Sequence, residues 1–168
     1  MERRRPGAIA RRLYRAPEWL YERGLGGLLR RRFLLLHHTG RKSGLPRRTV
    51  LEVMRYDAAA DRLLVASAYG EGADWFRNVL ADPAVEIEWG RKRLRRRARR
   101  VDAEEAEREL LDYARRHPLA SRILGRMLGL ETQWREGNLR ALAALMPVVA
   151  FGAPKDPGGP LSGRPAGC

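Results

Sequence analysis

Apolar residues change their spacing along this chain, and the change separates predicted strands from predicted helices. Short apolar runs predict a buried strand at 32–38, a second at 48–56 and a third at 62–68, with turns between them. No helical pattern lies between these runs, whereas parallel neighbours need a crossover of about a dozen residues. The three strands are therefore expected to pair in an antiparallel manner.

A fourth strand at 85–89 and the basic run that follows it predict a hairpin together with its register. If Gly90 and Arg91 form the turn, the cross-strand pairs are Glu88 with Arg93, Glu86 with Arg95, and Ile87 with Leu94. Charge complementarity and apolar pairing agree on this register. Sheet pairing therefore explains part of the arginine run, which weakens the case that the run serves nucleic acid.

Two segments show the apolar spacing of short amphipathic helices. Asp74 is expected to cap the first helix, which ends before Asp82. Asp102 and Glu105 have the spacing of a capping box, so they are expected to begin a second helix that ends near His117.

Further helices are predicted around 123–128 and over 132–145, followed by a last short strand at 147–151. The whole pattern is mainly β with peripheral α, and it contains about six antiparallel strands. Such a pattern favours a closed or half-open barrel over a doubly wound parallel sheet.

Composition divides the chain into three parts. Residues 1–30 form a basic, aromatic helical segment, residues 31–153 form the barrel domain, and the Pro/Gly-rich residues 154–168 are expected to be disordered. The first segment would suit peripheral contact with an anionic membrane. We favour a helix that packs against the domain with its arginines in solvent.

Arginine supplies most of the formal charge of +14 of this 168-residue chain, and it is scattered as well as clustered. The chain has no zinc-finger spacing, no basic region with heptads and no aromatic RNA-binding motif, so nucleic acid is disfavoured as a partner. The single cysteine, Cys168, allows no internal disulfide and fits a reducing cytoplasm. No apolar run is long enough to cross a bilayer. We expect a cytoplasmic protein, with association at a membrane surface as the alternative.

The most distinctive segment runs from Leu34 to Arg48, where an apolar strand leads into a basic turn, defined here as residues 40–47. Gly40 and Gly44 allow backbone angles that other residues avoid, so successive N–H groups could face one anion. Four side chains add donors: Arg41, Lys42, Ser43 and Arg47. The basic turn predicts a phosphate or carboxylate site, and the plain alternative is a charged hairpin turn.

Residues for direct chemistry by the protein are scarce. The glycines at 70–72 lack the third glycine of a dinucleotide fingerprint, and no G-x-S-x-G elbow is present. His37 and His38 are adjacent, so on a strand they point to opposite faces, and no metal-ligand spacing joins them to His117. His38 is a catalytic candidate beside a purely structural role. An anion site without a protein nucleophile or metal indicates that a bound cofactor supplies the chemistry.

Two segments resemble the deazaflavin-dependent nitroreductase family, which uses coenzyme F420: HTGRKSGLPRRTVLEV at 38–53 and VASAYGEGADWFRNVLADPAVEIEW at 65–89. The resemblance implies a split β-barrel like that of FMN-binding proteins. It also implies an oxidoreductase that transfers a hydride between coenzyme F420 and a small conjugated acceptor, such as a quinone, an enone or a nitro compound.

The resemblance assigns site residues by their places in the two segments. The phosphate and acidic tail of the cofactor are expected on Arg41, Lys42, Ser43 and Arg47. The ring system is expected along Ala66, Ser67 and Ala68, with the pocket completed by Trp75 and Asn78. Trp75 also fits a core aromatic at helical spacing. Tyr69 is the nearest candidate for a proton donor.

Other functions stay open at this point. A non-catalytic cofactor carrier, or a basic module that binds anionic lipid or nucleic acid, would also fit the charge, and FMN could replace F420. Related barrels often pair, so a homodimer is expected by analogy.

Overall fold

A computed structural model describes residues 31–119 and 143–154 of the chain. The described strands are β1 (Phe33–Thr39), β2 (Pro46–Glu52), β3 (Arg55–Asp57), β4 (Arg62–Ala66), β5 (Ala84–Trp89), β6 (Lys92–Arg100) and β7 (Val148–Gly152). Helix α1 (Asp74–Ala81) follows a 3-10 turn at Gly70–Gly72, and helix α2 (Ala103–Arg116) follows β6. None of the described helices combines the length and apolar character that a membrane crossing needs.

Some predictions lie outside the described residues. These are the N-terminal segment 1–30 with its membrane contact, the helix at 123–128, most of the helix at 132–145 and nearly all of the tail 154–168.

The strands form one sheet in the order β2-β1-β5-β6-β7-β4-β3, and all neighbours are antiparallel. The edge strands β2 and β3 are joined by only two residues, Val53 and Met54. The Val53 N–H donates to the Arg32 carbonyl at 2.8 Å, whereas the Met54 N–H donates to the Leu64 carbonyl at 2.9 Å. The backbone therefore passes from one edge of the sheet to the other within two residues, which curls the sheet into a split barrel.

This corner corrects one predicted boundary. The single strand expected at 48–56 is wrong, because the chain breaks there into β2 and β3, and the described sheet has seven strands instead of about six. The third predicted strand also ends at Ala66, two residues early. The predicted fold class, a mainly β split barrel with antiparallel strands and peripheral helices, is confirmed.

Alternating residues of the strands supply two separate apolar clusters. In β4, Leu63 and Val65 face the cluster inside the barrel, while Leu64 faces a second cluster outside it. The inner cluster also holds Trp75, Phe76 and Val79 of α1, which closes one end of the barrel. The outer cluster holds Ala106, Leu110 and Tyr113 of α2. The period of two in the strands thus gives one sheet two buried faces.

The predicted register of the β5–β6 hairpin is confirmed: Glu86 lies opposite Arg95, Ile87 opposite Leu94 and Glu88 opposite Arg93. The ion pairs follow a different pattern from the predicted one. Arg93 contacts Glu86 diagonally, and Glu88 bonds to His37 Nε2 of β1 at 2.8 Å. Glu88 therefore links β5 to β1 instead of to β6.

Acidic residues cap α2 and hold it against the barrel by accepting hydrogen bonds. The Asp102 carboxylate accepts the Glu105 N–H at 2.8 Å, so the predicted cap at Asp102 is confirmed, but the Glu105 carboxylate does not complete the predicted capping box. The Glu105 carboxylate instead contacts Arg62 of β4 at 2.5 Å. The Glu109 carboxylate accepts from Arg55 of β3, with its Oε2 at 2.8 Å from Arg55 Nε. These contacts fix α2 across the outside of β3 and β4.

Candidate functional site

The basic turn is closed by its own backbone hydrogen bonds. The Ser43 and Gly44 N–H groups both donate to the Gly40 carbonyl, at 3.1 and 2.7 Å, and the Gly40 N–H donates to the Leu45 carbonyl at 2.9 Å. The expectation that successive N–H groups of this turn face an anion is therefore wrong. The N–H groups of Ser43 and Gly44 are thus taken up within the turn, which leaves its side chains as the main candidates to hold an anion.

The two glycines of the turn serve different purposes. Gly44 has φ +66°, a left-handed conformation that favours glycine, as the sequence predicted. Gly40 does not share this conformation, but a Cβ there would lie 2.7 Å from Ser43 Oγ. A Cβ at Gly40 would therefore require the Ser43 hydroxyl to move, whereas Gly44 is required by its backbone angle.

Arg41 ties the basic turn to α1. Its backbone N–H donates to Asn78 Oδ1 at 3.1 Å, and its guanidinium NH1 donates to Asn78 Oδ1 and to Asp74 Oδ1, both at 2.9 Å. Asp74 is the first residue of the helix, its N-cap is Ala73, and its carboxylate makes no capping bond. The predicted Asp74 cap is therefore wrong, because the carboxylate is turned outward to the guanidinium.

Asn78 and His38 continue this network into the barrel. The Asn78 amide lies with Nδ2 at 3.1 Å from His38 Nδ1, and His38 Nε2 lies 3.2 Å from Thr49 Oγ1. Both Asn78 and His38 are buried. Burial lowers the pKa of His38 below 6.5, and the positive charge of Arg47 lowers it further. His38 is therefore a neutral, internally bonded side chain, and this geometry does not favour the predicted catalytic role.

Lys42 and Arg47 are exposed cations on either side of the turn's apex. Arg47 lines an open cavity of about 370 Å³ at the end of β1. The cavity is lined by His37, His38, Thr39, Gly44, Pro46, Arg47, Arg48, Ala84, Val85 and Glu86. Ser43 accepts the Leu45 N–H on its hydroxyl at 3.3 Å, so its first role is within the turn.

Residues 66–69 connect the end of β4 to the 3-10 turn that precedes α1. Ser67 is fully buried, its hydroxyl donates to the Gly70 carbonyl at 2.7 Å, and its N–H donates to the Pro147 carbonyl at 2.9 Å. Ala66 and Ala68 pack against the outer cluster. The predicted ring contact would run along the backbone of this stretch, and it stays a prediction. Tyr69 is 38% exposed at the start of the 3-10 turn.

Trp75 is 9% exposed and belongs to the inner cluster, where its ring meets Phe76 edge-on at 6.0 Å. The core-aromatic interpretation accounts for this position. Of the predicted residues, the structure brings Arg41, Asn78 and His38 into one hydrogen-bonded network. Lys42, Ser43 and Arg47 are their neighbours in the turn.

Sequence reasoning missed three participants: Asp74 as the partner of Arg41, Thr49 as the partner of His38, and Arg48 in the cavity wall. Arg48 and Thr49 had a detectable signal, because both lie inside the segment that carries the family resemblance. Asp74 lies inside the second such segment, but its pairing with Arg41 had no local signal, since the contact joins residues 33 positions apart.

Fold and site together define a small split-barrel protein with a cationic turn beside an open cavity. The chain belongs to the F420H(2)-dependent quinone reductase family, which matches residues 13–120 and thus more than half of its length. It is an F420-dependent oxidoreductase, and coenzyme F420 is its cofactor. The predicted membership of a deazaflavin-dependent family is confirmed. Family membership therefore selects F420 over FMN as the cofactor, and it selects an enzyme over a non-catalytic carrier.

Solved structures with a similar fold are distant in sequence. One described as an F420-H2 dependent reductase (FDR-A) is 24% identical with a TM-score of 0.48, and the match covers 72% of this chain and 94% of that one. Another, described as a domain-swapped dimer, is 23% identical with a TM-score of 0.51, covering 80% and 98%. A protein of unknown function from Agrobacterium tumefaciens str. C58 is 16% identical with a TM-score of 0.51, covering 82% and 55%. The last two support the split-barrel fold alone. No functionally curated protein matches the chain.

Proposed function

We propose that this F420-dependent reductase delivers a hydride from reduced F420 to a quinone, and that other conjugated acceptors such as enones and nitro compounds react by the same route. Membership of a family that is named for quinone reduction supports a quinone as the first acceptor. The bound cofactor supplies the hydride, and the protein binds the cofactor, orients it and shields the site.

The observation that carries the proposal is a pair of exposed cations in the basic turn, Lys42 and Arg47, of which Arg47 lines the cavity. Neither Lys42 nor Arg47 forms an ion pair with any part of the chain that the structure describes, and both are exposed. Ammonium and guanidinium groups suit phosphate and carboxylate oxygens, which F420 carries. The side chains present therefore fit the anionic part of the cofactor, and we assign it to Lys42 and Arg47 with Ser43 beside them.

Arg41 takes a different part in the same site. Its guanidinium already binds Asp74 and Asn78, so it holds the basic turn against α1. Arg41 therefore positions Lys42 and Ser43 in addition to any contact of its own. The contact of the cofactor ring with Ala66, Ser67 and Ala68, and that of Trp75 with the pocket, stay part of this proposal on the strength of the family resemblance.

A proton must accompany the hydride when a quinone becomes a hydroquinone. Tyr69 is 38% exposed, whereas both ring nitrogens of His38 are bonded to protein groups. We therefore assign the proton donor to Tyr69 or solvent. Tyr69→Phe tests this, with Tyr56→Phe as the matched control because Tyr56 is 37% exposed outside the site. A slower kcat in Tyr69→Phe alone supports the assignment, and equal rates assign the proton to solvent.

The function is tested by mixing purified protein with reduced F420 and following its oxidation with quinones, enones and nitro compounds. We expect protein-dependent oxidation that saturates with quinone concentration. Reduced FMN in place of reduced F420 is the matched cofactor control and, after its spontaneous reaction with the acceptor is subtracted, should give little protein-dependent turnover. Absence of F420 oxidation with every acceptor would overturn the proposal.

A homodimer and a cytoplasmic location stay predictions. One solved structure with this fold is described as a domain-swapped dimer. Sedimentation velocity of the full chain, with and without F420, tests whether two copies pair in solution.

A further inference from the structure

The hydrogen-bonding capacities of Arg41 and Asn78 fix the orientation of the Asn78 amide. Arg41 offers only donors to Asn78: its backbone N–H at 3.1 Å and its guanidinium NH1 at 2.9 Å. The atom that faces them must accept, so it is the amide oxygen. A flipped amide would place its NH2 group against two donors. The NH2 group therefore faces His38.

The orientation of Asn78 in turn fixes the tautomer of His38. The Asn78 NH2 group donates toward His38 Nδ1 at 3.1 Å, so Nδ1 carries a lone pair. In the neutral ring the proton then sits on Nε2, which donates to Thr49 Oγ1 at 3.2 Å. His38 is 8% exposed, so water does not substitute for either partner.

We propose that His38 is a positioning residue: its neutral imidazole holds the Asn78 amide in the one orientation that accepts hydrogen bonds from Arg41. Arg41 in turn holds the basic turn in place. The chain of bonds runs from Thr49 of β2 through His38 of β1 and Asn78 of α1 to the turn. The geometry stands on its own, and only the effect on cofactor affinity rests on the proposed function.

Protonation of His38 would break this arrangement. A proton on Nδ1 would face the Asn78 NH2 group, so the amide must turn and release Arg41. Arg47 of β2 and His37 of β1 oppose the proton, whereas a backbone hydrogen bond at Thr39 and the charge of Asp74 of α1 favour it. Glu86 of β5 lines the same cavity. Below the ordinary histidine pKa of 6.5, burial first keeps His38 neutral. F420 affinity should therefore fall only as the pH drops through the lowered pKa of His38.

The first test is the tautomer in the free protein. Long-range ¹H–¹⁵N correlation spectra report which ring nitrogen carries the proton, and His37→Asn and His117→Asn assign the three imidazoles. We expect His38 to be neutral with the proton on Nε2 at pH 7. A proton on Nδ1, or a charged ring at pH 7, would overturn the proposal whether or not the protein binds F420.

The second test uses Asn78→Asp. The carboxylate still accepts from Arg41, but it has no donor for His38 and instead favours a proton on Nδ1. The pKa of His38 should rise above its value in the wild-type protein, and the rise is read from the same spectra. An unchanged pKa would show that residue 78 does not face His38 Nδ1 and would contradict the proposal, whereas the rescue variants below test the positioning role itself.

The third test is rescue. His38→Leu removes the acceptor and should weaken F420 binding about tenfold, whereas His38→Asn keeps an acceptor near Nδ1 and should restore much of the affinity. His38→Asn should also lose the fall in affinity at low pH. His117→Asn, at the end of α2, is the matched control. Equal affinity of all three variants would overturn the positioning role, and absence of wild-type binding would overturn the proposed function alone.

Discussion

Arg41 and Lys42 are adjacent in the basic turn, yet their surroundings differ. Arg41 donates to Asp74 and Asn78, whereas Lys42 is exposed. We expect Arg41→Ala to lower the free energy of unfolding by about 1 to 2 kcal/mol as well as weakening F420 binding, because it removes hydrogen bonds of the folded state. Lys42→Ala should weaken binding about tenfold with little change in stability. Urea unfolding and F420 titration of both variants measure the difference.

Equal stability of the two variants would show that the Arg41 contacts do not hold the turn. Loss of stability in Lys42→Ala would place Lys42 in the folded network instead of at the ligand.

Gly44 and Gly90 offer a matched pair of left-handed glycines. Their φ angles are +66° and +62°, and a Cβ at either position meets nothing within 4 Å. Alanine at each should cost about 1 kcal/mol of stability, since only the backbone angle is strained. Only Gly44→Ala should also weaken F420 binding, because Gly90 lies in the β5–β6 turn. Thermal unfolding measures the stability of both variants, and titration measures their affinity for F420. Equal affinity of the two variants would show that the backbone angle at Gly44 does not affect cofactor binding.

The residues of the site show where sequence reasoning stops. The basic turn was predicted because its glycines and cations are contiguous, and Gly44 has the expected backbone angle. Asp74 was misjudged because an acidic residue at a helix start suits a cap in isolation. Its partner Arg41 comes from a distant turn, and only the folded barrel brings the two together.

Helix α2 is held by ion pairs that differ in burial. Glu109 is buried and accepts two bonds from Arg55, while Glu104 and Arg108 form an exposed pair at 2.7 Å. Glu109→Gln should cost about 1 to 2 kcal/mol, since Arg55 stays partly solvated, and Glu104→Gln at most about 0.5 kcal/mol. Urea unfolding of the two variants gives the comparison. Equal costs would mean that the Arg55 contact contributes no more than a surface pair.

At the scale of elements, the β5–β6 hairpin was predictable and the β2–β3 corner was not. In the hairpin, local charge and apolar alternation agree on one register, and the register is confirmed. At the corner, Val53 and Met54 are both apolar and both buried, so the pattern predicts one continuous strand across them. The break arises because the backbone bonds to Arg32 on one side and Leu64 on the other, which is a requirement of barrel closure.

The high positive charge of the whole molecule is partly neutralised on the surface where it is densest. In β6, four arginines have carboxylate partners: Arg93 with Glu86, Arg96 with Asp61, Arg99 with Glu105, and Arg100 with Glu71. We therefore expect only weak binding to duplex DNA, lost at about 0.15 M salt. Fluorescence anisotropy across a salt series measures this. Tight binding that persists at that salt concentration would restore the nucleic-acid alternative.

The most direct test of the account is a fluorescence titration of F420 into the wild-type protein and two double variants of equal charge change. One variant, Lys42→Ala with Arg47→Ala, removes the two exposed cations of the basic turn, and the other, Arg95→Ala with Arg97→Ala, removes two exposed cations of β6. We predict saturable binding by the wild-type protein, a loss of about a hundredfold or more in the first variant and less than about threefold in the second. Equal losses in the two variants would contradict the assignment of the cofactor to the basic turn.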